Sequence, residues 1–217
     1  MPSEGLSSLT LWGRSRTRER LNGLVLRFFE EYDRGALTLP SSPRLEFRTW
    51  KTGDLPLAMQ LWGDPAVTSF VATQPFTQPQ VEERLEQEIA RAAKHGTQYG
   101  PIFSRASGEL VGCCGFCPRA SPAGVLELGF LLRPAFWGQG LATEAAHAAV
   151  KHAFEVLGAP AIFAGHHPEN AGSRNVLQKL GFRPTHFEHF GPTGLEHPSY
   201  LLRPEDFREP PPGPTGA

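Results

Sequence analysis

The sequence has almost no cysteine, no long apolar run and no excess of charge, and each shortage closes off a class of protein. Three cysteines in 217 residues, all between Cys113 and Cys117 on what reads as one strand, cannot build the paired framework of a small secreted domain. A reducing, cytoplasmic setting is the simpler expectation. No segment approaches the roughly 18 apolar residues of a membrane-spanning helix, and the first residues lack the basic-then-apolar layout of a secretory signal. Arg14, Arg16, Arg18 and Arg20 alternate with Ser and Thr in a pattern loosely like a transit peptide, but Glu4, Glu19, Glu30 and Glu31 run against it. A formal net charge of -1 supplies no basic field to draw the chain onto nucleic acid.

What is present is an ordinary globular composition, 40% hydrophobic and 20% charged, in a chain long enough to bury roughly two thirds of its unfolded surface. The apolar period switches repeatedly between two and about 3.6, the mark of a mixed α/β layer structure, and predicts six or seven strands and about four helices. Residues 1–43 read as an extension with a helix near Arg16–Tyr32 and a linker at Leu39–Pro43. Residues 44–208 read as the folded domain and 209–217 as a disordered Pro/Gly-rich tail. Within the domain, strands are expected at 45–50, 99–104, 110–117, 125–132, 161–165, 182–190 and 199–202. Helices are expected from Asp54 to Trp62, from Thr77 to Gly96, from the glycine turn to about Leu157, and from Asn170 to Leu180.

The segment Trp137-Gly138-Gln139-Gly140-Leu141-Ala142 falls between a strand and a long helix, where backbone can approach a ligand and free N–H groups point one way. A helix N-terminus carries roughly half a positive charge and can hold a pyrophosphate without lysine. The absence of Gly-Lys-Ser/Thr excludes a nucleotide-hydrolysing P-loop, and a dinucleotide fold would need three spaced glycines. Two glycines alone also fit a plain tight turn.

The longer run Leu126-Glu127-Leu128-Gly129-Phe130-Leu131-Leu132-Arg133-Pro134-Ala135-Phe136-Trp137-Gly138-Gln139-Gly140-Leu141-Ala142-Thr143-Glu144-Ala145 resembles the acetyl-CoA-binding motif of GCN5-related N-acetyltransferases, closest to the subgroup that modifies ribosomal protein N-termini. A second run, Asn170-Ala171-Gly172-Ser173 leading to Lys179-Leu180-Gly181-Phe182, resembles that family's Asn-x-x-Ser helix. The resemblance implies a mixed, mostly antiparallel sheet whose strands splay at an acetyl-CoA cleft. It also implies main-chain amides of Gln139, Gly140, Leu141, Ala142 and Thr143 on the pyrophosphate, contacts from Leu128 and Phe130, and no metal. The implied reaction is acetyl transfer to an amine acceptor, a peptide N-terminus or a small-molecule amine. No nucleic acid or membrane partner is expected, and the protein is expected to act as a monomer or homodimer. A noncatalytic acyl-CoA-binding module remains the alternative from another class.

Acyl transfer needs a neutral amine, donors for a developing oxyanion and a leaving thiolate. Glu127 stands where the family often has an acidic residue near the acyl group, and partial burial would raise its pKa toward that of a useful base; the bland alternative is a solvent-facing residue on an alternating strand. Amides from Leu128 to Phe130 are the candidates for the oxyanion. Asn170 and Ser173 stand one helical turn apart and can cap the helix, contact the cofactor, or both. Where relatives have a tyrosine in this helix, the chain has Val176-Leu177-Gln178. Cys114 and Cys117 with His166 and His167 suggest zinc only weakly, because side chains three apart on a strand point to opposite faces. Trp62, Phe70, Phe76, Phe187 and Phe190 are candidates either for an acceptor cleft or for core.

Overall fold

Alternating sequence over 99–132 builds a three-stranded antiparallel meander, around which the rest of the sheet is assembled. The structure is a computed structural model that describes residues 38–119 and 124–209; the expected helix near Arg16–Tyr32 and the tail beyond Glu209 lie outside the described residues. Strands β1 (Leu45–Phe47), β2 (Tyr99–Ser104), β3 (Leu110–Pro118), β4 (Leu126–Leu132), β5 (Ile162–Gly165), β6 (Arg183–Phe190) and β7 (Leu195–Leu202) form one sheet in the order β1-β2-β3-β4-β5-β7-β6. Only β4 and β5 run parallel; every other neighbour is antiparallel. The expected mixed, mostly antiparallel architecture is what forms.

The parallel pair is short. Leu126 stands opposite Ile162 and Glu127 opposite Phe163, after which β4 continues to Leu132 with no partner on that side among the described residues. The two strands therefore separate toward the glycine turn, and the unpaired edge of β4 faces a wedge-shaped gap.

Five helices occur among the described residues: α1 (Leu55–Trp62), α2 (Pro65–Thr68), α3 (Gln78–His95), α4 (Leu141–Glu155) and α5 (Ala171–Leu180). The sequence pattern predicts about four, and α2 is the addition. A single turn shows no 3.6 period, yet its start was written locally: Pro65 opens it and the Asp64 side chain accepts from Ala66 N at 2.9 Å. The first strand is shorter than the expected 45–50, although Arg48 N still donates to Pro101 O and Trp50 Nε1 to Tyr99 O. Helix α3 begins with a Thr77/Gln80 capping box and ends at Gly96 in the left-handed region, φ 66°.

Helices α1 and α3 bury Trp50, Leu61, Trp62, Val81 and Leu85 against Phe103 and Cys113 of the sheet. Helix α4 packs on β3 and β4 through Ala145, Ala146, Ala149 and Ala153, whose small side chains allow close approach and leave the helix start at the gap. Ser42, expected in a linker, is buried; its hydroxyl donates to Glu144 of α4. No helix among the described residues is long and apolar enough to cross a membrane.

Candidate active site

The glycine turn is pinned from both sides. Trp137 Nε1 donates to Leu132 O at 2.7 Å, which leaves the indole 53% exposed beside the turn. Gly138 and Gly140 have φ of 74° and 77°, a region that side chains with a Cβ disfavour. A Cβ at Gly138 would meet nothing within 4 Å, and one at Gly140 only Arg44 Nη2 at 3.7 Å. Conformation, rather than crowding, is what requires glycine here. Gly140 is the N-cap of α4, and Glu144 N makes the first helical bond to Gly140 O at 3.1 Å. The amides of Leu141, Ala142 and Thr143 precede that bond and have no acceptor among the described residues.

A cleft of about 460 Å³ runs from these amides along Phe130–Leu132 to Asn170, Ser173 and Val176. A second cavity of about 370 Å³ adjoins it, sharing Phe70, Phe130, Leu131, Asn170 and Ser173 as wall and adding Glu127, Leu128, His166 and Glu188. Of the residues singled out from sequence, Gly140, Leu141, Ala142 and Thr143 line the first cleft, Glu127 and Leu128 the second, and Phe130, Asn170 and Ser173 both. Gln139 lines neither: its side chain returns to Ala135 O and its carbonyl accepts from Arg44 Nη1. Asn170 Oδ1 accepts from Ser173 N at 2.9 Å, so the cap exists, and both side chains also face the junction of the two spaces.

Glu127 lines the second cavity, with its side chain 39% exposed. Arg119 Nη1 lies 3.2 Å from its Oε2, while Arg119 Nη2 reaches Glu188 Oε1 at 2.8 Å and the guanidinium stacks 3.6 Å from the centre of the Phe163 ring. Burial pushes the Glu127 carboxyl above its ordinary value; Arg119 opposes the rise and Glu188 adds to it. Next to it, a Cβ at Gly129 would come within 2.6 Å of the Tyr99 ring, so glycine there is what admits the tyrosine. Burial, then the charge of Glu127, holds the Tyr99 hydroxyl well above the usual range, and it stays protonated at neutral pH.

These features fit a thioester of a pyrophosphate-bearing carrier: free amides at a helix start, a side-chain-free turn, a splayed strand edge, and a carboxylate at the far end. A family model described as an acetyltransferase (GNAT) domain matches residues 44–183. The chain belongs to the GNAT acetyltransferase family. It is 30% identical over 141 residues, 64% of this chain and 79% of the other, to the uncharacterized N-acetyltransferase p20 of Bacillus licheniformis. Its fold is similar to that of a GNAT-family acetyltransferase from Bacillus anthracis, with a TM-score of 0.67 at 21% identity over 77% of this chain and 99% of that one. It is also similar to RimL, a ribosomal L7/L12 alpha-N-protein acetyltransferase solved with coenzyme A, with a TM-score of 0.65 at 17% identity over 76% and 96%. The protein is therefore a GNAT N-acetyltransferase, and acetyl-CoA is the substrate its family uses.

Several residues of this acetyltransferase's site escape sequence reasoning. Arg119 carries no motif, though the β3–β4 register, with Cys117 opposite Glu127, would have placed it within reach. Glu188 arrives from the sheet edge through a long-range pairing that nothing local announces. Tyr99 brings a phenol into the second cavity from β2, where α5 has none. Among the aromatic candidates, Phe70, Phe76 and Phe190 line the second cavity, Trp62 is fully buried core and Phe187 is 67% exposed. His166 Nδ1 donates to His167 O at 2.8 Å, which leaves Nε2 to accept from the Tyr200 hydroxyl at 3.2 Å; burial lowers its pKa, so it is neutral at pH 7. Burial pushes the Cys113 thiol up to about 12, and no group of three His, Cys, Asp or Glu able to hold a metal occurs among the described residues.

Proposed function

We propose that this acetyltransferase moves the acetyl group of acetyl-CoA to a primary amine by direct attack in a ternary complex, with Glu127 as the base. The observation that carries the reading is the position of a pKa-raised carboxylate in a cavity that shares Phe130, Asn170 and Ser173 with the cleft at the start of α4. Acetyl-CoA, when bound, supplies an acyl thioester. The amides of Leu141, Ala142 and Thr143, with those of Gln139 and Gly140 at the turn, hold pyrophosphate; Asn170 and Ser173 orient the chain that follows. Glu127 takes the proton of the attacking amine at its carboxylate, directly or through water. Amides from Leu128 to Phe130, on the strand edge that β5 leaves unpaired, donate to the developing oxyanion.

A thiol has a pKa of about 8.5, so its thiolate leaves with little help, and Tyr99 or Ser173 can return the proton. A peptide α-amine, with a reference pKa near 8, is easier to deprotonate at neutrality than lysine. That difference and the ribosomal-type motif support N-terminal acetylation, in the cytoplasm, by a monomer or homodimer.

The reading is tested first by calorimetry with acetyl-CoA on the natural sequence and on Gly140→Val. Valine cannot adopt φ 77° without strain, so it distorts the turn and micromolar binding should be lost. A natural protein that does not bind acetyl-CoA would sink the proposal; a natural protein that binds but releases no thiol with any amine would reduce it to a binding module.

A further inference from the structure

We infer that the second cavity takes amines that also carry a carboxylate, and that Arg84 of α3 is the residue that reads it. The inference rests on the acetyl-transfer reading above and names the acceptor class for that site.

The cavity is polarised. At one end Glu127 and Glu188 share Arg119, which leaves a net negative charge to attract an ammonium group. At the other, Arg84 lines the wall with Phe76, Tyr99 and Cys113. The Arg84 guanidinium carbon stands 4.9 Å from the centre of the Trp62 ring and 5.9 Å from that of Phe76, so aromatic faces hold its plane. Yet Arg84 has no ion pair or hydrogen bond with any described residue, and its Nε is buried without an acceptor. Leaving a buried charged donor unmade is costly; Arg91 Nη1 is likewise buried without a hydrogen bond, but it lies 2.6 Å from the Glu88 carboxylate, and Arg119 has two carboxylates, whereas Arg84 has none among the described residues.

A planar cation with free donors in a cavity wall matches a carboxylate in geometry and charge. The same cation repels a second ammonium and so selects against polyamines. Spacing sets the size of the acceptor. Cys113, which feels the Arg84 charge, stands opposite Leu131, four residues along β4 from Glu127, or roughly 13 Å at about 3.3 Å per residue. The arginine side chain spans part of that, leaving a gap suited to a di- or tripeptide with a free C-terminus.

The test is calorimetric titration of the CoA-loaded protein with Ala-Ala-Phe and with its C-terminal amide. The acid should bind about ten- to a hundredfold more tightly, the preference should vanish in Arg84→Gln, and it should survive in part in Arg84→Lys. Acetyl-CoA binding should be unchanged in both variants, which reports an intact fold. Equal binding of acid and amide by the natural protein, binding of neither, or a preference that persists in Arg84→Gln each overturns the inference. Failure of the acetyl-transfer reading is read separately, as absence of thiol release with every amine, acid or amide.

Discussion

In the proposed mechanism Glu127 is the base, and its titration can be moved from two sides. Its carboxyl is raised chiefly by burial, lowered by Arg119 and raised again by Glu188. The base is lost when it protonates, so turnover should fall as pH drops through that raised value. Arg119→Met removes the lowering partner and should shift this acid limb to higher pH, while Glu188→Gln should shift it to lower pH. Glu127→Gln should cut the rate at neutral pH by about a hundredfold or more and flatten the limb. Titration of the amine is common to all four proteins and cancels in the comparison of their pH–rate profiles. Near-natural turnover by Glu127→Gln, or limbs that coincide, would remove Glu127 from the mechanism. Sequence singles out Glu127 because it stands within a motif; it could not point to Arg119 or Glu188, which come beside it only through strand pairing across the sheet.

At the scale of elements, the start of α4 is positioned by a clamp as well as by glycine. Ser42 Oγ and the Arg44 amide and guanidinium all donate to Glu144 in the first turn, while Arg44 Nη1 also holds Gln139 O at 3.1 Å. An acidic side chain there also complements the helix dipole. Burial alone would raise the Glu144 carboxyl, but these bonds outweigh it and hold its pKa below the ordinary carboxylate value. A depressed carboxylate contributes stability above its unfolded value and loses it as pH falls through the folded one. Glu144→Gln should therefore lower stability by roughly 1 kcal/mol at pH 7, discounted for the exposed arginine, with the gap closing in acid. Urea midpoints at pH 7 and below pH 4 measure this; a gap independent of pH would show that charge is not what the clamp uses. Long elements with caps, such as α3 and α5, were legible to within a residue or two. Helix α2 was not, because one turn has no period, and neither was the early end of β1, because alternation continues past the point where the strand leaves its partner.

For the whole molecule, the decisive feature is a sheet that is continuous in hydrogen bonding but open in one place. The parallel pairing of β4 with β5 lasts two residues, and the freed edge of β4, the start of α4 and the cap of α5 then face one gap. Nothing fills that gap from within the described residues, so a ligand there bridges two strands that otherwise pair only at Leu126 and Glu127. Binding to the folded state alone stabilises it by about 2.7 kcal/mol at a hundredfold excess over Kd. For a domain of this size each kcal/mol is worth about 2–4 °C, so saturating acetyl-CoA should raise Tm by roughly 5–10 °C. Gly140→Val should melt without such a shift, whereas Glu127→Gln and Arg84→Gln, both outside the cleft at the start of α4, should show it in full. A melting scan of the four proteins therefore separates cofactor binding from chemistry and from acceptor choice. Loss of the shift in Glu127→Gln would mean that the carboxylate holds the cofactor rather than the amine's proton.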